Sequence, residues 1–121
     1  MPQRVILNET SYFGQGALVN LADEVRMRGF RKALIVTDAD LIQYGVVEKV
    51  TNLMDQNGLA YNVFSQVKAN PTVDIVKKGI GAFRYSGADY LIAIGGGSPI
   101  DTAKAIGVIA NNLSLIHISE P

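Results

Sequence analysis

Cysteine is missing from all 121 residues. Its absence excludes disulfides, a thiolate nucleophile and any metal site built on Cys ligands. Net charge is missing too, because eleven Lys and Arg balance eleven Asp and Glu. That balance supplies no electrostatic drive toward nucleic acid or an anionic membrane, so neither is expected as a partner. No run of like charge suggests a tail. No segment approaches the ~20 apolar residues that a bilayer-crossing helix needs. The opening MPQRVILNETSYF lacks the long apolar stretch of a secretory leader, and a cytoplasmic location is the expectation. Internal repeats and low-complexity linkers are also lacking. The acidic residues show no metal-ligand spacing.

What is present is a chain 48% apolar, sized for one domain with a modest core. Short β-branched runs alternate with longer segments of helical period. This is the pattern of an α/β fold, Rossmann-like, with a largely parallel sheet and helices on both faces. The runs Arg4–Asn8, Lys32–Thr37, Ala60–Ser65 and Asp89–Ile94 read as strands. Helices fit Ala17–Arg28, Val46–Asn57, a segment capped by Thr72 and stopped by Gly87, and Pro99–Ala110. The last of these is apolar on nearly every side, which predicts a place between the sheet and another layer. Residues 113–121 (LSLIHISEP) continue no period and carry no turn logic. They are read as foreign to a domain spanning residues 1–112, so His117, the one histidine, is expected to carry no function.

The strongest motif is Ile94-Gly95-Gly96-Gly97-Ser98-Pro99-Ile100-Asp101. Glycines without Cβ atoms let backbone approach an anion closely. A following helix offers unpaired N–H groups and the positive end of its dipole. Ser98 can cap that helix or donate its hydroxyl to a phosphate oxygen. The plain alternative is a tight strand-to-helix turn, but three glycines at the carboxyl end of a buried strand favour phosphate binding. Asp101 is either a routine acidic residue near a helix start or a ligand. Asp38 closes the strand Lys32–Thr37. There a carboxylate can accept hydrogen bonds from a ribose and repel a 2′-phosphate, or it can simply serve a turn. Asn70, before Pro71, is likewise a turn residue or a loop group within reach of a ligand. Gly14-Gln15-Gly16 reads as a turn feeding the first helix. The acid precedes the glycines, so this is not the common GxGxxG fingerprint, and no GxxxxGK[ST] is present.

The strings YFGQGA (12–17), KALIVTDADL (32–41), NPT (70–72) and GADYLIAIGGGSPIDTAKAI (87–106) together resemble the N-terminal domain of the iron-containing, or group III, alcohol dehydrogenases. GGGSxxDxxK after a strand is quite specific to that superfamily, which also holds glycerol dehydrogenases and dehydroquinate synthase. The resemblance implies an NAD-binding α/β domain followed by a helical domain. That second domain binds one Fe2+ through an aspartate and three histidines. The metal polarises the oxygen of a small alcohol or aldehyde while hydride moves to or from the nicotinamide. It also implies a homodimer. By matched position, Asp38 corresponds to the adenosine-ribose carboxylate, Gly96, Gly97 and Ser98 to the pyrophosphate loop with Asp101 in the same motif, and Asn70 to a cofactor-site residue. The metal ligands have no counterpart in this chain. The chain is therefore expected to be a non-catalytic N-terminal piece with an incomplete sheet, exposing apolar surface on its last helix and at the sheet edge.

Two other classes compete. A phosphoryl-transfer enzyme with a glycine loop would carry an acidic residue inside it, as in GGDG strings, where this chain has Gly97 and Ser98. A flavodoxin-like binding module would show a Ser/Thr-rich phosphate loop after the first strand, and none accompanies Asp38 and Asp40.

Overall fold

The computed structural model describes residues 8–13, 17–38, 45–67, 72–95, 97–110 and 114–119. Strands and helices alternate throughout: β1 (Asn8–Phe13), α1 (Ala17–Arg28), β2 (Lys32–Asp38), α2 (Val46–Gln56), β3 (Ala60–Val67), α3 (Val73–Ser86), β4 (Tyr90–Ile94), α4 (Gly97–Ile109) and β5 (Ser114–Ser119). The five strands form one sheet in the order β1-β5-β4-β2-β3, and every neighbouring pair runs parallel.

Period-two alternation sends each strand's side chains to opposite faces. Ala33, Ile35, Tyr90, Ile92, Ile94, Ile116 and Ile118 meet Leu21 and Val25 of α1 and Val47, Val50 and Met54 of α2. Leu34, Val36, Leu91, Ala93 and Leu115 point the other way, to Ile75 and Phe83 of α3 and Ala103 and Ile106 of α4. The division follows from crossover handedness. The β1→β2 and β2→β3 connections travel one way along the sheet, and β3→β4 and β4→β5 travel back. Right-handed crossovers then put α1 and α2 on one face and α3 and α4 on the other.

Local chemistry fixes the ends of these elements. Thr72 Oγ1 accepts from Ile75 N at 3.2 Å and caps α3. Gly29 N donates to Arg26 O (3.1 Å) and Phe30 N to Val25 O (3.2 Å), a Schellman pair that closes α1. At the amino ends of β2 and β4, the Asp89 carboxylate accepts from Arg31 N and Lys32 N, each at 2.9 Å in its shorter contact. Gly79 lets α3 press on α4 and β3: a Cβ there would collide with Ile106 and lie 3.3 Å from Phe64 Cε2.

The structure differs from the sequence reading in three places. The first strand runs Asn8–Phe13, and of the expected Arg4–Asn8 only Asn8 lies within the described residues. Its partner decides this, because β1 pairs with β5 from Asn8↔Ser114 to Phe13↔Ser119, whatever the apolar content of the segment. The segment read as foreign to the domain, with no strand assigned to it, supplies β5, seated between β1 and β4. Leu115, Ile116 and Ile118 are buried there, so the edge of β4 is covered and not open. The third difference is the start of α4, at Gly97 and not Pro99. The apolar surface expected on the last helix is present at Val108 and Ile109, both exposed. No helix among the described residues is long and apolar enough to cross a membrane.

Candidate nucleotide-binding site

At the carboxyl edge of the sheet, β2 and β4 lie side by side, and their chains leave toward opposite faces. β2 leads to α2 on one face and β4 leads to α4 on the other. Neighbouring strands with divergent exits leave a crevice above their ends, which is where open α/β sheets bind ligands.

The two strands part at a definite point. Their ladder runs from Ala33↔Tyr90 to Val36↔Ala93 and stops. Beyond it β2 stays with β3, where a register shift places Asp38 opposite Val67 after Val36 opposite Phe64. An irregularity of this kind re-aims the strand end beside a site. Across the fork, the buried Thr37 hydroxyl donates to Ile94 O at 3.3 Å.

The chain then turns out of β4 at Gly95, whose φ of 121° is a conformation that side chains with a Cβ rarely adopt. Gly95 N donates to Ile118 O at 3.0 Å, and His117 Nε2 lies 2.8 Å from Gly95 O. A carbonyl can only accept, so the Nε2 of that pair carries the proton. Gly97 opens α4 and Ser98 follows as its second residue, half-buried. Ser98 therefore lies inside the first turn and not at the capping position that a helix starting at Pro99 would give it. Thr102, also buried, donates its hydroxyl to Ser98 O at 2.8 Å. Asp101 is exposed near the start of the same helix. Asp38, half-buried, ends β2.

Asp38, Gly97, Ser98 and Asp101 are thus gathered on the carboxyl ends of two adjacent strands and the helix start that follows. Asn70 and Gly96 lie outside the described residues. The sequence reading passed over Thr37, Thr102 and His117. Thr37 and Thr102 carried one available signal, a hydroxyl in an otherwise apolar stretch (KALIVTD and the last helix). His117 belongs to the segment read as foreign, yet its ring touches the glycine turn.

An all-parallel sheet with helices on both faces, and a glycine turn that enters a helix at the carboxyl end of a central strand, define a doubly wound α/β fold. The family model described as iron-containing alcohol dehydrogenase matches residues 8–120, and the chain belongs to that family. It is 62% identical over 112 residues to lactaldehyde reductase of Escherichia coli (strain K12), covering 93% of this chain and 29% of that protein. It is 39% identical over 102 residues to the NAD-dependent methanol dehydrogenase of Bacillus methanolicus, covering 84% of this chain and 27% of that one. The solved alcohol dehydrogenase from Oenococcus oeni superimposes with a TM-score of 0.83 at 26% identity, covering 98% of this chain and 36% of that chain. The chain therefore spans less than a third of the length of both curated relatives.

Proposed function

We propose that the crevice binds the ADP portion of NAD, as the nucleotide-binding part of an iron-dependent alcohol dehydrogenase that interconverts lactaldehyde and propane-1,2-diol or a similar small pair. The observation that carries this reading is the pairing of Asp38 and the Gly95–Ser98 turn on adjacent strand ends. Asp38 accepts hydrogen bonds from the adenosine ribose hydroxyls and repels a 2′-phosphate. The backbone from Gly96 to Ser98 and the start of α4 hold the diphosphate, where N–H groups and the helix dipole favour negative charge. Asn70 and Asp101 complete the proposed contacts. Bound NAD supplies the hydride acceptor or donor. The residues present fit that group: a glycine turn admits the diphosphate closely, and a carboxylate stands beside it.

Iron is a different matter. Among the described residues, no three His, Asp or Glu side chains gather to hold a metal ion, so these residues do not fit it. The similarity to lactaldehyde reductase supports the substrate pair, and the similarity to a methanol dehydrogenase supports a different small alcohol as the second reading. The homodimer is proposed on family grounds. The division into a domain of residues 1–112 and a foreign segment 113–121 is likewise a proposal, decided by the source DNA beyond Asn112.

The binding proposal is tested by titrating the 121-residue chain with NAD+ and NADP+ and repeating this with Asp38→Gly. The unsubstituted chain is expected to prefer NAD+. Hydrogen bonds to a charged group are worth ~1.5–3 kcal/mol, so Asp38→Gly should weaken NAD+ by about tenfold or more. It should also bring the two cofactors close together. Equal affinities for both in the unsubstituted chain would overturn the reading.

A further inference from the structure

We infer that Thr37 is a positioning residue: its hydroxyl sets the separation between the ribose carboxylate on β2 and the diphosphate turn after β4. The inference rests on the nucleotide reading above.

Among the described residues, two threonine side chains are fully buried, Thr37 and Thr102. Both donate to backbone carbonyls, and those carbonyls flank the glycine turn: Ile94 O immediately before it and Ser98 O immediately after it. The three residues between are Gly95, Gly96 and Gly97, which have no side chains with which to be held. Glycine loses more backbone freedom on ordering than any other residue, so the turn takes its geometry from the groups that hold it: β5 at Gly95, through Ile118 O and His117 Nε2, and the two threonines at its shoulders.

The two shoulders are held differently. Thr102 bonds four residues back along its own helix, a common helical arrangement that ties Ser98 only to α4. Thr37 bonds across 57 residues of sequence, from one strand to the next. It does so one residue past the last β2–β4 ladder pair, Val36↔Ala93, where the backbone has ceased to join the strands. The next residue of β2 is Asp38. The Thr37–Ile94 bond is therefore a side-chain link at the mouth of the fork, joining the element that carries the carboxylate to the element that carries the turn. A ligand that grips both feels the link, and a ligand that grips only the turn does not.

The test uses the full 121-residue chain and two probes, ADP-ribose and inorganic pyrophosphate, with binding followed calorimetrically well below the melting temperature. Thr37→Val keeps the shape and removes the hydroxyl. Losing one hydrogen bond's worth of preorganisation should weaken ADP-ribose about fivefold and pyrophosphate less than about twofold. Thr37→Ser, which keeps the hydroxyl, should bind both within about twofold of the unsubstituted chain. In an Asp38→Ala background, Thr37→Val should cost ADP-ribose almost nothing more, because there is no second grip left to position. If Thr37→Val does not fold, Thr37→Cys replaces it, since a thiol is a weak donor of similar size. Equal losses for both probes, or an undiminished loss in the Asp38→Ala background, would show a merely structural role and overturn the inference. A chain that binds ADP-ribose with full affinity as Thr37→Val overturns the inference alone. An unsubstituted chain that binds neither probe overturns the nucleotide reading and this inference with it.

Discussion

Tyr90 lies fully buried at the start of β4, its ring stacked on Phe30 with centroids 4.5 Å apart, and its hydroxyl finds no hydrogen-bond partner among the described residues. Burial pushes the phenol's pKa far above its ordinary value of 10.0, with the Asp89 charge adding to the shift. The folded state therefore favours the neutral phenol. Its contribution is whole below the unfolded-state value near 10 and is lost as pH rises above that toward the folded-state value. Tyr90→Phe should remove this alkaline sensitivity in denaturant titrations run from pH 8 to 11. It should also raise stability at neutral pH by about 1 kcal/mol, because an unpartnered buried hydroxyl costs more than it returns. A loss of stability in that variant would reveal a partner for the hydroxyl. Asp89 is the opposite case, a side chain whose oxygens accept two backbone N–H groups at the start of β2. Asp89→Ala leaves those donors exposed or unpaired and should cost about 1–3 kcal/mol in the same titrations.

At the scale of elements, the helices were readable because their signals are local. Leu21 and Val25 recur at helical spacing, and Thr72 and Gly87 mark both ends of α3, as the structure has them. The strands β2 and β4 were readable as unbroken apolar runs, which both-face burial requires. The failures came where pairing and not propensity decides. NETSYF is a strand because β5 lies beside it, and SLIHIS is a strand because a slot between β1 and β4 buries Ile116 and Ile118 on one face and Leu115 on the other. Of the candidate site, the acidic strand end and the glycine turn were visible as residue types. The buried Thr37 bond was not, because it joins residues 57 positions apart. Contact between helices is similarly invisible in sequence. Gly79→Ala, a change that usually favours helix, should here destabilise by about 1–3 kcal/mol, because its methyl meets Ile106 and Phe64. A thermal melt unchanged from the unsubstituted chain would show that α3 and α4 can move apart at no cost.

For the whole molecule, the strand order puts β5 in a structural position that its sequence did not announce. It is the described neighbour of β1, and it covers one side of β4. A chain ending at Asn112 should lose its cooperative melt or drop sharply in stability. It gives up three buried aliphatic side chains, each worth about 1.5–3 kcal/mol, against a typical domain stability of about 5–15 kcal/mol. An unchanged melt would show that the sheet closes without this strand. The same topology places the proposed cofactor contacts at one edge of the sheet, and that placement is the central claim. It is tested most directly by following the backbone amides of the isotope-labelled chain by NMR during addition of NAD+. The account predicts saturable shifts confined to the carboxyl ends of β2 and β4 and the start of α4, at Asp38, Gly95, Gly97 and Ser98. Shifts centred on the amino ends of the strands, around Arg31 and Asp89, or no saturable shifts at all, would contradict it.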